Sequence, residues 1–324
     1  MQIVDEKLFF APSDLITFME SPFASHMERQ RLIDRSVNEL MDPTDAMLKA
    51  LQDKGFEHED EFLKTLRSEH KSVVEIDRAS SDVMQARTKT AMEDGADVIA
   101  QAYLQLDNFG GLADFLVKVP GDSTLGDFHY EIWDTKLSKK MKPYFAIQLC
   151  CYAEMIEHMQ GVKPVNVAIV LGDNTNTALK VRDYFGYYSA LKAAFLEFHD
   201  QWAPENPPDP AESSTHGRWS EHAAKLLEDR RHLSLVANIT GDQIKRLEAA
   251  EITTIDDLAS SGQDQVSKLN RDIFHRLKAQ AKIQIESEGK ETPLHRVLAH
   301  EPHHPIGLAL LPPGSEADLF FDIE

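Results

Sequence analysis

Three charged residues in two neighbouring apolar stretches are the sharpest chemical feature of the sequence. Asp114 stands in GLADFLV, with apolar residues on both sides, and Asp134 and Lys136 stand in YEIWDTKLS. Both stretches read as strands, and strand residues two apart share a face. Asp134 and Lys136 are therefore expected to point the same way, with Asp114 meeting them from the next strand. Two carboxylates and an ammonium on a largely buried sheet need a partner, because unpaired buried charge is costly. A divalent cation satisfies both carboxylates: Mg²⁺ takes oxygen ligands, usually one or two carboxylates plus water and substrate phosphate. The lysine can then orient or help deprotonate an attacking water and offset charge on the phosphate. Alone, an Asp-x-Lys pair is ordinarily an exposed ion pair worth ~0–1 kcal/mol. Its company with Asp114 favours a site.

Further polar residues fall at useful spacings. Gln148 and Tyr152 are four apart on an expected helix, hence on one face, and could line the same cleft as substrate contacts. His58 lies in GFEHEDEFL among acidic neighbours, where a neutral imidazole could serve as an extra metal ligand or position water. Glu131 falls on the opposite strand face by parity and is a secondary candidate carboxylate. Cys150 and Cys151 are adjacent and read as small buried apolar residues. His295, His300, His303 and His304 lack a zinc-like spacing and read as a solvated tail.

The elements that must position these residues follow from periodicity and turn chemistry. The run Phe10-Ala11-Pro12-Ser13-Asp14 signals a helix start with Ser13 as N-cap. Helices are expected over 44–69, 82–104, 143–159 and 187–202. Strands are expected over 110–119 and 128–137, separated by a Pro-Gly-Asp-Ser turn, and over 165–173, with another in TALKVRDYF. This order predicts an α/β (α+β) fold with a mixed central sheet flanked by helices, spanning residues 1–205. A proline-rich break begins at 204, so 206–230 reads as a linker. Residues 231–285 read as a small helical domain and 286–324 as a weakly patterned tail. The tail stops in LFFDIE, an apolar run that reads as the start of a strand, which suggests a fragment of a longer protein.

Composition narrows the function class. The chain has 324 residues, 42% hydrophobic and 27% charged, ordinary for a globular protein. Its net charge of −20 argues against a non-specific nucleic-acid coat. It leaves room for an enzyme with a local basic groove, where divalent cations offset carboxylates. No apolar run suggests a membrane span, no secretory signal is read, and the adjacent cysteines fit a reducing cytoplasm.

The ordered set His58, Asp114, Asp134-x-Lys136 and Gln148-x-x-x-Tyr152 resembles the RecB-type branch of the PD-(D/E)XK nucleases. The likeness is to predicted RecB-family nucleases related to the CRISPR-associated adaptation exonucleases, and it covers roughly residues 8–205. It implies a restriction-endonuclease-like sheet and hydrolysis of DNA phosphodiester bonds with Mg²⁺ or Mn²⁺, on DNA ends or single strands. Asp114, Asp134 and His58 would bind metal, Lys136 would assist the nucleophilic water, and Gln148 and Tyr152 would contact DNA. A helicase domain is a natural companion by the same analogy. The alternative is a non-catalytic DNA-binding or protein-interaction module derived from such a nuclease.

The chain departs from that pattern in places. Many relatives hold an iron–sulfur cluster on four cysteines, one early and three after the core. Here Ser21 stands in the early position and AESSTHGRW in the later one, so no cluster is expected. The segment from Leu235 through Gln243 to Ala250-Glu251-Ile252 resembles a helix-hairpin-helix module, which binds DNA backbone through main-chain N–H groups. Glu251 stands where glycine is usual. The final FFDIE resembles the first motif of an RNase H-like exonuclease, with Asp322 and Glu324 as its ligands.

Overall fold

Alternating and β-branched apolar runs in the middle of the chain build a six-stranded mixed sheet, and amphipathic helices cover it. The computed structural model describes residues 1–4, 6–43, 46–296 and 310–319. Two units are present, Met1–Asp229 and Arg230–Glu324.

The first unit opens with a small antiparallel hairpin, β1 (Gln2–Val4) and β2 (Lys7–Phe9). Helices α1 (Pro12–Glu20), α2 (Pro22–Ile33) and α3 (Ala46–Glu69) follow. Next come the short edge strand β3 (Val73–Glu75), helix α4 (Ser81–Glu93) and the long strands β4 (Val98–Leu106), β5 (Phe109–Ser123) and β6 (Gly126–Lys136). Helix α5 (Pro143–Gln160) crosses to β7 (Asn166–Leu171), and β8 (Asn176–Lys180) leads into α6 (Val181–Asp200) and later α7 (Ser220–Asp229). Strands lie in chain order from β3 to β8. The β3–β4 and β6–β7 pairs are parallel and the others antiparallel. A parallel pair needs a crossover, and α4 and α5 supply the two crossovers here. The large core combines Leu15 of α1, Met92 of α4, Ile99, Leu116 and Ile132 of the sheet, Leu149 and Ile156 of α5, and Phe195 of α6. A separate cluster joins Leu63 and Leu66 of α3 to Val98, Ala100, Phe115 and Val117.

The structure corrects several expectations. The expected helix over 82–104 is α4 followed by β4, because Gly95 turns with φ 72 and the β-branched pair Val98-Ile99 enters the sheet. TALKVRDYF splits: its first half lies in β8, and α6 begins at Val181. Helix α1 is capped at Ala11 with Pro12 in its first turn, rather than at Ser13. The segment expected as a linker, 206–230, folds back on α2 instead. Trp219 is buried with Phe23, Met27 and Ala223, and its indole N–H donates to Glu28 at 2.9 Å. Composition marks its prolines but not the aromatic anchor that gives it a core.

In the second unit, α8 (Gly241–Glu248), α9 (Ile255–Ser260) and α10 (Arg271–Ser287) bury Leu247, Ile255, Leu258 and Phe274. Glu251 sits between α8 and α9 at φ 63. Its amide donates to the Glu248 carbonyl and that of Ile252 to Leu247, closing the α8 C-terminus in a Schellman arrangement. His300, His303, His304, Asp322 and Glu324 lie outside the described residues; His295 is exposed. Among the described residues no helix is long and apolar enough to cross a membrane.

Candidate active site

The site forms where one strand ladder ends and another skips a pair. The β5–β6 ladder runs as far as Phe115↔Trp133, and Asp114 and Asp134 are the next residues beyond that pair. On the other side, Ala100↔Phe115 and Ala102↔Ala113 flank a skipped pair, Gln101 with Asp114. Gln101 has φ 53, a left-handed conformation that breaks the pleat. The consequence is visible in the core: Ile99 and Ala102, three apart, both join the large cluster, as do Ala113 and Leu116. A regular strand would send such pairs to opposite faces.

This kink sets the direction of Asp114. Its Oδ2 accepts hydrogen bonds from the Thr135 amide at 2.9 Å and the Thr135 hydroxyl at 3.0 Å. The parity expectation placed Asp114 on one face with Asp134 and Lys136. Instead its direct partner is the residue between them. Among the described residues no ion pair or hydrogen bond joins Asp114 to Asp134 or Lys136; the coupling is electrostatic.

Asp134 and Lys136 pair directly, with Lys136 Nζ 2.5 Å from Asp134 Oδ2. Asp134 is 2% exposed, and its Oδ2 accepts no well-directed hydrogen bond, so the ion pair leaves lone-pair capacity unused. Burial and then the Asp114 charge push the Asp134 carboxyl well above the usual carboxylate range, against the pull of Lys136. Burial works against the Lys136 ammonium, but Asp134, Asp114 and Glu59 outweigh it and hold its pKa above the ordinary value. Its Nζ also lies 5.7 Å from the Phe145 ring centroid at the start of α5.

Glu59, on α3, is not among the sequence candidates. Burial and the Asp114 charge push its carboxyl up to about 7, against a hydrogen bond from the Gln101 amide. The Gln101 oxygen in turn accepts from Arg78 at 3.2 Å. In the sequence Glu59 is one acid among several in HEDE; nothing local distinguishes it from a solvated helix residue.

The remaining candidates are placed as follows. His58 is buried, with Nε2 3.4 Å from the Val170 carbonyl of β7. Tyr152 donates its hydroxyl to the Leu112 carbonyl at 2.7 Å, and its phenol is held protonated by burial and by Asp134 and Asp114. Gln148 is half-buried beside it. The Glu131 carboxylate accepts from the Asn166 amide and side chain at 3.3 and 3.1 Å, which ties β6 to β7. Cys150 and Cys151 are buried free thiols pushed up to about 11 and 12 by burial.

Among the described residues no three His, Cys, Asp or Glu side chains converge in ligand geometry. The donor set still fits Mg²⁺ or Mn²⁺, which needs only one or two carboxylates and completes its shell with water and phosphate oxygens. Asp134 offers a buried carboxylate that Lys136 only partly satisfies, and Asp114 and Glu59 add negative charge that a cation would relieve. Ser21 and His216, in the two segments that lack cluster cysteines, are committed to each other by a 2.9 Å hydrogen bond between Oγ and Nδ1. No protein-family model matches the chain, and no curated protein matches it.

Proposed function

We propose that the first unit is a metal-dependent nuclease with a restriction-endonuclease-like sheet that hydrolyses phosphodiester bonds in DNA. The observation that carries this reading is the buried Asp134–Lys136 pair, placed at the interrupted ladder within the field of Asp114 and Glu59. Asp114 and Asp134 would hold a Mg²⁺ or Mn²⁺ ion, which supplies Lewis acidity toward the phosphate and lowers the pKa of a bound water. Lys136, kept cationic by three carboxylates, donates to the phosphate or to the attacking water rather than accepting its proton. Glu59, with its carboxyl near 7, is suited to take that proton at neutral pH. Thr135 aims Asp114, and Gln101 aims Glu59. Tyr152 and Gln148 brace the wall of the site; the Tyr152 hydroxyl, already bonded to Leu112, supports β5 and not substrate.

The second unit is proposed as a helix-hairpin-helix-like module that contacts DNA or a partner such as a helicase domain. One observation favours an interaction role over phosphate binding there: Glu251 places a carboxylate at the turn. The reading is tested with end-labelled single- and double-stranded DNA, Mg²⁺ or Mn²⁺, and chelator controls. Metal-dependent cleavage that Asp134→Asn and Lys136→Ala abolish supports it. Undiminished cleavage by either folded variant overturns the site. Absence of cleavage by the parent protein leaves the non-catalytic module.

A further inference from the structure

We propose that the rim of this site binds a single nucleic-acid strand, its phosphates along Lys139, Lys140 and Lys142 and a base against Phe56. The proposal rests on the nuclease reading for the direction of the strand, but not for its binding. The first observation is charge. In a chain of net charge −20, four lysines fall within residues 136–142, SKKMK following directly on Lys136 through Leu137. Lys136 is spent on Asp134, but Lys139, Lys140 and Lys142 are exposed and form no ion pair among the described residues. Asp173 feels the Lys139 charge without contacting it. Lys142 lies 5.6 Å from the Tyr144 ring centroid.

The segment is held rather than loose. Ser138 Oγ donates to the Lys140 carbonyl at 2.7 Å, and the Gly172 amide donates to the Ser138 carbonyl at 3.2 Å. A side chain at Gly172 would meet the Leu137 carbonyl oxygen at 2.2 Å, so glycine there lets the β7–β8 turn close against the lysine segment. Met141 anchors the segment against the large core. Three cations are thus fixed on a firm loop that starts at a candidate catalytic residue. Three exposed cations within four residues complement an anionic ligand with repeated charge.

The second observation is aromatic. Phe56 is 65% exposed on α3. It lies three residues before Glu59, hence on the same helical face. The adjoining Gly55 runs alongside Leu137, within 4.0 Å of its Cδ1 for an added Cβ. The exposed ring thus stands on the helix that carries Glu59, next in sequence to the residue that approaches Leu137 at the head of the lysine segment. Stacked bases in a duplex offer no free face to a side chain, whereas an unpaired strand does. Aromatic stacking beside a cationic track is the usual means of gripping single strands.

The test is binding of the full chain to a labelled oligothymidylate of about 15 nucleotides, against a blunt duplex of equal length, in chelator across a salt series. The single strand is expected to bind more tightly. Lys139→Gln/Lys140→Gln/Lys142→Gln should reduce the slope of log affinity against log salt by about 2, at ~0.7 for each phosphate no longer neutralised. Phe56→Ala should weaken binding roughly tenfold with the slope unchanged. If the triple variant does not fold, Lys142→Gln alone should lower the slope by ~0.7. An unchanged slope, an unchanged affinity in Phe56→Ala, or equal affinity for duplex overturns the proposal. Cleavage is scored separately with Mg²⁺: a parent that binds as expected but never cuts sinks the nuclease reading and leaves this one standing. A parent that cuts, with lysine variants of unchanged slope, does the reverse.

Discussion

Thr135 grips the Asp114 carboxylate with both its amide and its hydroxyl, while the residues on either side of it, Asp134 and Lys136, pair with each other. One tripeptide therefore orients two carboxylates on neighbouring strands. Thr135→Val keeps the shape and the amide bond but removes the hydroxyl donor. It should cost about 1 kcal/mol of stability. Metal-dependent cleavage should fall about tenfold, equivalent to ~1.4 kcal/mol of activation free energy. Thr135→Ser should restore both. Cleavage kinetics and denaturant unfolding of the three proteins check this; equal loss in the serine variant would refute the role of the hydroxyl.

Glu59 makes the metal-free protein sensitive to pH in a stated direction. Its carboxyl is raised from 4.5 to about 7 in the folded chain. Between these values the native state holds the proton and the unfolded chain has released it. Native protein thus binds more protons, and stability falls as pH rises through that window, levelling above about 7. His199 pulls the other way. Burial foremost, with the Arg29 charge, holds its imidazole neutral down to about 3, so stability falls as pH drops below its ordinary 6.5. Thermal melts in chelator should therefore be compared as parent minus Glu59→Gln. That difference should grow more unfavourable to the parent from pH 5 to 8, and Mn²⁺ held by Asp114 and Asp134 should reduce it, because a nearby cation favours the ionised Glu59 carboxylate. A flat difference curve contradicts the assignment.

Ser21 ties the start of α2 to the segment around His216. Its hydroxyl accepts from the Ala24 amide at 3.0 Å, capping α2, and meets His216 Nδ1 at 2.9 Å. Glu28 reinforces the same clamp through Arg218 and Trp219. Ser21→Ala should destabilise by about 1–3 kcal/mol, from the lost cap and a buried imidazole left without its partner. Limited proteolysis should then cut within 204–217 faster than in the parent, with the sheet still intact. Unchanged proteolysis would show the clamp to be redundant.

Glu251 holds a left-handed conformation at the close of α8. A side chain there carries steric strain that glycine avoids, against glycine's greater freedom in the unfolded chain. Glu251→Gly should stabilise the second unit by up to about 1 kcal/mol. Guanidinium unfolding followed by backbone circular dichroism measures this; a destabilised variant would mean that the carboxylate makes a compensating interaction.

The central strands, α3, α5 and the Asp-x-Lys pair are legible in the sequence because each is written in local pattern. Period-2 apolar runs around Asp114 and Asp134, and the helical spacing of Phe62, Leu63 and Leu66, need no distant information. The boundary after α4 is hard to read because Ala91, Met92, Val98 and Ile99 are all apolar, and only Gly95 marks where the period changes. Glu59 and Gln101 stay hidden for another reason. A carboxylate's pKa depends on how much water its neighbours exclude and which charges they bring, and those neighbours come from β4 and β5.

Residue order is enough to establish which segments bury an apolar face and which acids and lysine sit beside them, since propensity and periodicity act over a few residues. It could not settle that a kink at Gln101 turns Asp114 to Thr135, that Glu131 serves Asn166, or that Ser21 meets His216. Those pairings arise from strand order, register and packing across long stretches of chain, where the balance of burial and charge belongs to the assembled fold.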